Sequence, residues 1–186
     1  MRLIVVTLQK GGDILTEQLA ARAKSGDSEA FAKLFCEVQD ELYRVAYLYV
    51  RNSEDAKDIV QETAYRCFKN IRRLRQCEYF RTWAVKTAMN CALDMLRKNR
   101  RTQPFDDYQV PVETVSSPEN SVIASVTLEK LMNSLNEREK SVLLLKYMYE
   151  MSFDEIAKTL KLPLGTVKTI LYRAVDKMKK ENSYET

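Results

Sequence analysis

Three polar side chains, Asp58, Gln61 and Glu62, follow the i, i+3, i+4 spacing that places them on one face of a helix. Two carboxylates and an amide on an exposed helix can pair with a basic partner surface, and they can equally be an ordinary solvated face. The sequence contains no histidine, which removes the commonest general base and the commonest zinc ligand. Its four cysteines include no C-x-x-C pair. We therefore predict no catalytic residue, no metal site and no cofactor.

A strongly basic segment follows this acidic face along the chain. Residues 65–101 contain eleven basic and two acidic side chains, a net charge of +9. Basic residues interspersed with aromatic ones are typical of surfaces that follow a nucleic-acid backbone. The candidate nucleic-acid-binding residues in and around this segment's last helix are Arg75, Tyr79, Phe80, Arg81, Lys86, Asn90 and Arg97. Trp83 falls on the apolar stripe of that helix, so we predict that it belongs to the core.

Two short helices are predicted near the C-terminus. The first covers residues 153–161, and a tight turn ends at Pro163, which is favoured at the first position of a helix. The buried side of the second helix is predicted to carry Val167, Ile170, Leu171, Ala174 and Met178. Its opposite side carries Lys168, Thr169, Tyr172, Arg173 and Asp176. This pattern favours a DNA-binding helix-turn-helix, although a helical hairpin with a solvated charged face has the same pattern.

The composition and the apolar spacing predict an all-α protein with two small domains. Only four Gly and four Pro occur in 186 residues, and apolar side chains recur at helical spacing on both sides of residues 102–126. That intervening stretch has three prolines, four acids and no basic residue, which is typical of a flexible acidic linker. We therefore predict a leader over residues 1–14, a helical bundle over 15–101, the linker, and a helix-turn-helix domain over 127–186.

Local signals within the two domains predict where helices begin and which faces they bury. A break at Asn52-Ser53 can cap the helix that follows, and capping boxes are predicted at Asn136–Glu139 and Ser152–Glu155. The helix after Asn52 is predicted to bury a stripe of Ala56, Ile59, Val60, Thr63, Ala64, Cys67 and Phe68. The last helix of the basic segment is predicted to bury Trp83, Ala84, Thr87, Ala88, Cys91 and Met95.

Three ordered motifs resemble the sigma-70 family of RNA polymerase sigma factors, in its extracytoplasmic-function (ECF) group. The run from Ser53 to Thr63, SEDAKDIVQET, resembles the family's polymerase-binding motif. The run from Phe80 to Asn90, with Asp94-Met-Leu-Arg97, is similar to its promoter-melting helix. Residues 147–173, which include Met151-Ser-Phe-Asp-Glu-Ile-Ala157, are similar to its reader of the minus-thirty-five element.

The resemblance implies a role for each group of candidate residues. Asp58, Gln61 and Glu62 match the residues that bind the largest subunit of core polymerase. The loop before Phe80 and the residues from Arg75 to Arg97 named above match the segment that recognises and melts the minus-ten element. The minus-thirty-five contacts are matched by Thr166, Lys168, Thr169, Tyr172 and Arg173. The implied partners are core RNA polymerase (its β and β′ subunits), promoter DNA and an anti-sigma factor.

Two other classes of protein are weighed against a sigma factor. An autonomous helix-turn-helix repressor would explain residues 127–180 but would leave the acidic face and the basic helix without a purpose. A recombinase or nuclease would need a nucleophile with a base or a cluster of carboxylates for metal, and no such set stands out. No segment is typical of a signal peptide or a membrane span, so we expect a cytoplasmic protein with reduced cysteines and no membrane contact of its own.

The first residues pose a separate question. Lys10-Gly-Gly-Asp13 is a natural translation of a stretch that resembles a bacterial ribosome-binding site, and Leu15 can be encoded by TTG, a start codon. One hypothesis is that native protein starts at Leu15. The alternative is an ordinary leader without regular structure.

Overall fold

The structure is a computed structural model that describes residues 14–102, Met132 and residues 134–183. Every regular element in this part of the chain is helical, which confirms the predicted all-α class. The chain divides into two compact units, each described by itself below. The predicted linker beyond Thr102, the predicted restart of helical structure near Thr127 and the leader before Ile14 lie outside the described residues.

Four α-helices and two short 3-10 turns form the described part of the N-terminal unit. The helices are α1 (Ile14–Lys24), α2 (Ser28–Val50), α3 (Ser53–Asn70) and α4 (Phe80–Thr102), and the turns are Ile71–Arg73 and Cys77–Tyr79. Helix α2 packs against the other three helices, and α3 also packs against α4. The predicted cap at Asn52 is confirmed, because its side-chain oxygen accepts hydrogen bonds from the backbone N–H groups of Glu54 and Asp55.

The apolar stripe predicted on α3 is confirmed over most of its length. Its buried members are Ala56, Ile59, Val60, Thr63 and Cys67. Phe68 is 51% exposed, contrary to the prediction, because it lies at the edge of the stripe. Its ring still packs edge-on against Phe31 of α2, with 5.1 Å between the ring centroids.

The stripe predicted on α4 is shifted around the helix. Ala84, Ala88 and Cys91 are buried as predicted, and so are Val85, Met89 and Ala92, which the prediction left out. Trp83, predicted as core, is only half-buried. The centre of the core is taken instead by Phe80, whose ring lies 6.4 Å from that of Phe31. The wider buried face reflects contact with both α2 and α3.

The C-terminal unit contains α5 (Glu137–Leu143), a π-helical turn (Leu144–Met148), α6 (Phe153–Leu160) and α7 (Leu164–Ser183). Both predicted capping boxes are confirmed, Asn136 with Glu139 and Ser152 with Glu155. Helix α7 begins at Leu164 rather than at Pro163, whose carbonyl accepts the helix's first hydrogen bond from Val167 N–H. Proline therefore lies one position before the place predicted for it, still where no backbone N–H is needed.

Candidate functional site

The acidic face of α3 consists of Asp58, Gln61 and Glu62, and all three side chains are exposed, as their spacing requires. Ile59 and Val60 point to the opposite, buried side of the same helix. The opposite side of α3 is therefore packed in the core, and the polar atoms of the acidic face are exposed to solvent. This arrangement suits contact with a basic partner.

Glu62 differs from Asp58 because it has a strong partner within the protein. Its Oε1 accepts a hydrogen bond from Nε of Arg66 at 2.6 Å. Nη1 of Arg66 also donates to Oδ2 of Asp94 on α4, at 3.0 Å. Hydrogen bonds to the two carboxylates raise the pKa of Arg66, with the larger effect from Glu62 and the smaller from Asp94, so the guanidinium stays charged. Arg97, a candidate DNA-binding residue, is 3.1 Å from Oδ1 of the same Asp94.

The basic candidates of the N-terminal unit differ in their accessibility. Arg75, Asn90 and Arg97 are exposed, Tyr79 is 53% exposed, and Lys86 is half-buried. Tyr79 ends the second 3-10 turn, directly before α4, so its ring stands at the start of the basic helix. These five residues can reach an external nucleic acid without any change in the core.

Two residues of the predicted nucleic-acid set have other roles. Phe80, predicted as a nucleic-acid contact, is fully buried, with Phe31 and Trp83 around it, so its ring packs in the core and is not exposed for stacking on a base. Arg81 donates from Nε to Oε2 of Glu41 at 2.6 Å, and the Glu41 side chain is only 8% exposed. Arg81 is therefore engaged with α2, which the sequence prediction did not foresee.

The outer face of α7 agrees with the helix-turn-helix prediction. Lys168, Thr169, Tyr172 and Arg173 are exposed, and Thr166 is half-buried at the edge of the face. On the inner side, Val167, Leu171 and Ala174 are buried. The hydroxyl of Thr169 donates to the carbonyl of Gly165 at 3.0 Å. The exposed set offers two cations, a phenol and a hydroxyl along one helix.

Lys146 joins this face, although the sequence prediction missed it. Its Nζ lies 4.8 Å from the ring centroid of Phe153, and Nζ of Lys168 lies 5.7 Å from the same centroid. Lys146 Nζ also donates to the carbonyl of Met151 at 3.2 Å, which fixes the ammonium group near the start of α6. The pattern of apolar residues could not reveal it, because Lys146 lies in the π-helical turn, outside both predicted helices.

Comparisons with known proteins agree with this arrangement. Family models described as Sigma-70 region 2 and Sigma-70, region 4 match residues 34–102 and 125–178. The sigma factor SigV of Bacillus subtilis is 30% identical over 76% of this chain and 84% of its own length. The chain belongs to the sigma-70 family.

Further relatives place this sigma factor in the ECF group. The ECF sigma factor SigW of Bacillus subtilis is 29% identical over 91% of this chain and 97% of its own length. The ECF sigma-E factor of Haemophilus influenzae is 30% identical over 86% of this chain and 92% of its own. The protein is thus an RNA polymerase sigma factor of the ECF type, which directs transcription initiation at promoters.

A solved structure supports the fold alone. This sigma factor resembles CnrH, solved in complex with the cytosolic domain of CnrY, with a TM-score of 0.64 and 20% sequence identity. The likeness covers 92% of this chain and 99% of that one.

The described residues of this sigma factor contain free cysteines but neither a metal-binding cluster nor a membrane-spanning helix. Within them there is no cluster of three or more acidic or cysteine side chains that could hold a metal ion. The four cysteines are free thiols, two of them buried between α3 and α4. No helix in the described ranges is long and apolar enough to cross a membrane.

Proposed function

We propose that this sigma factor binds core RNA polymerase, through its β and β′ subunits, with the acidic face of α3 as the main contact. Asp58, Gln61 and Glu62 are exposed on a helix whose other side is locked in the core. A basic surface of the polymerase would be attracted by the carboxylates and oriented by the amide. The observation that carries the proposal is this exposed acidic face next to a basic helix in the same unit, an arrangement that a simple repressor does not need.

The minus-ten element is then contacted by the basic side of α4 and the turn before it. Arg75, Tyr79, Lys86, Asn90 and Arg97 are the proposed contacts, since they are the accessible members of the predicted set. Tyr79 can stack on an unpaired base while the cations follow the phosphates. Arg81 is not a proposed DNA contact. Its role is to hold the first turn of α4 against α2 through its ion pair with Glu41.

The minus-thirty-five element is contacted by α7, which enters the major groove as the second helix of a helix-turn-helix. Thr166, Lys168, Thr169, Tyr172 and Arg173 are the proposed contacts. Lys146 is added to them as a phosphate contact, because its ammonium group and that of Lys168 share one ring, Phe153.

In this proposal, the protein has two functional domains joined by the acidic linker. Residues 15–101 form the polymerase-binding and minus-ten domain, and residues 127–186 form the minus-thirty-five domain. The acidic linker between them tethers two weak DNA-binding modules and so raises their joint affinity. We further propose that the protein acts in the cytoplasm in a stress or envelope response, catalyses no reaction, and is held inactive by an anti-sigma factor.

Transcription in a purified system tests the proposed function. Core polymerase is incubated with and without this protein on fragments of the genome from which the gene comes, and transcripts are mapped at their 5′ ends. We expect initiation at a small set of promoters only when the protein is present. A repressor would bind fragments without core polymerase and would never confer initiation.

A further inference from the structure

The two proposed binding surfaces of the N-terminal unit are joined by four charged side chains in an unbroken series. Glu62 of α3 pairs with Arg66 at 2.6 Å, Arg66 pairs with Asp94 of α4 at 3.0 Å, and Asp94 pairs with Arg97 at 3.1 Å. We name these four residues the ion-pair chain. Its first member belongs to the proposed polymerase contact and its last to the proposed DNA contact. The two inner members belong to neither.

Each inner member of the ion-pair chain divides its charge between two partners. Arg66 uses Nε for Glu62 and Nη1 for Asp94, and Asp94 uses Oδ2 for Arg66 and Oδ1 for Arg97. The buried thiol of Cys91 lies close enough to feel Arg66, Glu62 and Asp94, but burial raises its pKa, so it stays neutral and adds no charge. This sharing gives a route by which a stronger interaction at one end of the ion-pair chain can change the pairing at the other end.

We propose that Arg66 and Asp94 are positioning residues that couple polymerase binding to promoter binding, and this inference rests on the proposed function. A polymerase cation that pairs with Glu62 draws this carboxylate away from Arg66. Arg66 then pairs more fully with Asp94, and Asp94 releases Arg97 to a DNA phosphate. The coupling is reciprocal, so that removal of Arg97 from Asp94 also frees Glu62 for the polymerase.

The expected size of the coupling follows from the exposure of the four side chains. Arg66 is 37% exposed, Glu62 47%, Asp94 49% and Arg97 67%, so water and salt weaken each pair. Pairs of this kind change an equilibrium by at most about fivefold. The effect should also decrease as the salt concentration rises.

The affinity of the full-length protein for core polymerase, measured without DNA at low salt, tests the proposal. Arg97→Ala should tighten polymerase binding about two- to fivefold. Without Arg97, Asp94 pairs with Arg66 alone, so Arg66 pairs less with Glu62 and the Glu62 carboxylate is available to the polymerase. Asp94→Asn should weaken polymerase binding by a similar factor, because Arg66 turns wholly to Glu62. In the Asp94→Asn background, Arg97→Ala should have no further effect on polymerase affinity. Asp94 is the residue through which Arg97 acts on Arg66, and its charge is already absent there.

Arg44→Ala is the matched control, because it removes one exposed arginine from α2 of the same unit, outside the ion-pair chain. It should leave the polymerase affinity unchanged, and circular dichroism should show the same helix content for all variants. Equal effects of Arg97→Ala and Arg44→Ala, or a persistent Arg97→Ala effect in the Asp94→Asn background, would overturn the coupling. Failure of the proposed function has a different signature, because the unaltered protein would then not bind core polymerase at all.

Discussion

Glu41 and Arg81 form an ion pair that fastens the first turn of α4 to α2, with 2.6 Å between Oε2 and Nε. The Glu41 side chain is 8% exposed and the Arg81 side chain 38%. The pair lies next to Phe80, the fully buried residue that precedes Arg81. Together these contacts fix the place where the Cys77–Tyr79 turn enters α4, and hence the position of the exposed Tyr79 ring.

Replacement of Arg81 by Ala should destabilise the N-terminal unit, because it leaves the buried Glu41 carboxylate without the cation that Arg81 supplies. We expect a loss of about 1–3 kcal/mol in the free energy of unfolding, below the full cost of a broken buried pair because Arg81 is partly solvated. Glu41→Gln should cost less, since Arg81 can turn to water. Urea unfolding followed by Trp83 fluorescence measures this, because Trp83 is the only tryptophan and belongs to this unit.

Arg75→Ala provides the control for this measurement, because Arg75 is an exposed arginine of the same unit. It should leave the unfolding midpoint unchanged. If Arg81→Ala has no more effect than Arg75→Ala, the pair does not stabilise the start of α4.

The sequence predicted correctly those features of the fold that depend on residues close together along the chain. The stripe of α3, the cap at Asn52 and both capping boxes depend on residues within one or two helical turns of each other, so their spacing was sufficient. Phe80 and Trp83 are both aromatic and both near the start of α4, and the packing of α4 on its neighbours, including Phe31 of α2, places the Phe80 ring at the centre. The sequence therefore placed the correct helix but chose the wrong ring.

The missed site residues have the same physical cause. The partner of Arg81 lies 40 positions earlier, on α2, and the ring that Lys146 shares with Lys168 belongs to another element again. Such contacts depend on how helices pack, which a single sequence does not contain. The ion-pair chain shows this as well, because Arg66 and Asp94 are 28 positions apart.

Asp58→Lys should weaken binding to core polymerase without any effect on the fold. Asp58 is exposed, whereas Glu62 is paired with Arg66, so reversal at Asp58 is the cleaner test of the acidic face. A reversed charge at an interface with a basic partner should cost about tenfold or more in affinity. Co-elution with core polymerase measures the loss, and circular dichroism checks the fold.

Asp40→Lys makes the same reversal on the exposed side of α2 and should leave co-elution unaltered. If Asp58→Lys protein co-elutes as well as Asp40→Lys protein, the acidic face of α3 is not the polymerase contact.

Arg173 and Lys146 should contribute to minus-thirty-five binding in different ways. Arg173 projects from the outer face of α7, where base edges are within reach, so Arg173→Ala should cost about 1–3 kcal/mol, unequally among variants of the element. Lys146→Ala should weaken all variants alike and reduce the slope of log affinity against log salt by about 0.9, as expected for one lost phosphate contact. Holoenzyme binding to promoter fragments at several salt concentrations measures both.

Lys158→Ala removes an exposed cation from α6 and serves as the control, with no expected change in salt slope. A uniform loss from Arg173→Ala would assign that residue to a phosphate. An unchanged slope in Lys146→Ala protein would remove Lys146 from the DNA contact.

Two of the four cysteines should be unreactive in the folded protein. Cys67 and Cys91 are buried, and burial raises the pKa of both thiols, that of Cys67 to about 12. The thiolate is the reactive form, and at pH 8 only about one Cys67 in ten thousand would be ionised. Cys36 is exposed and Cys77 is half-buried, so a disulfide reagent should titrate these two thiols rapidly and all four in urea. A protein with Cys36 and Cys77 both changed to Ser should react only as it unfolds, and rapid reaction of that variant under native conditions would show that the α3–α4 interface opens.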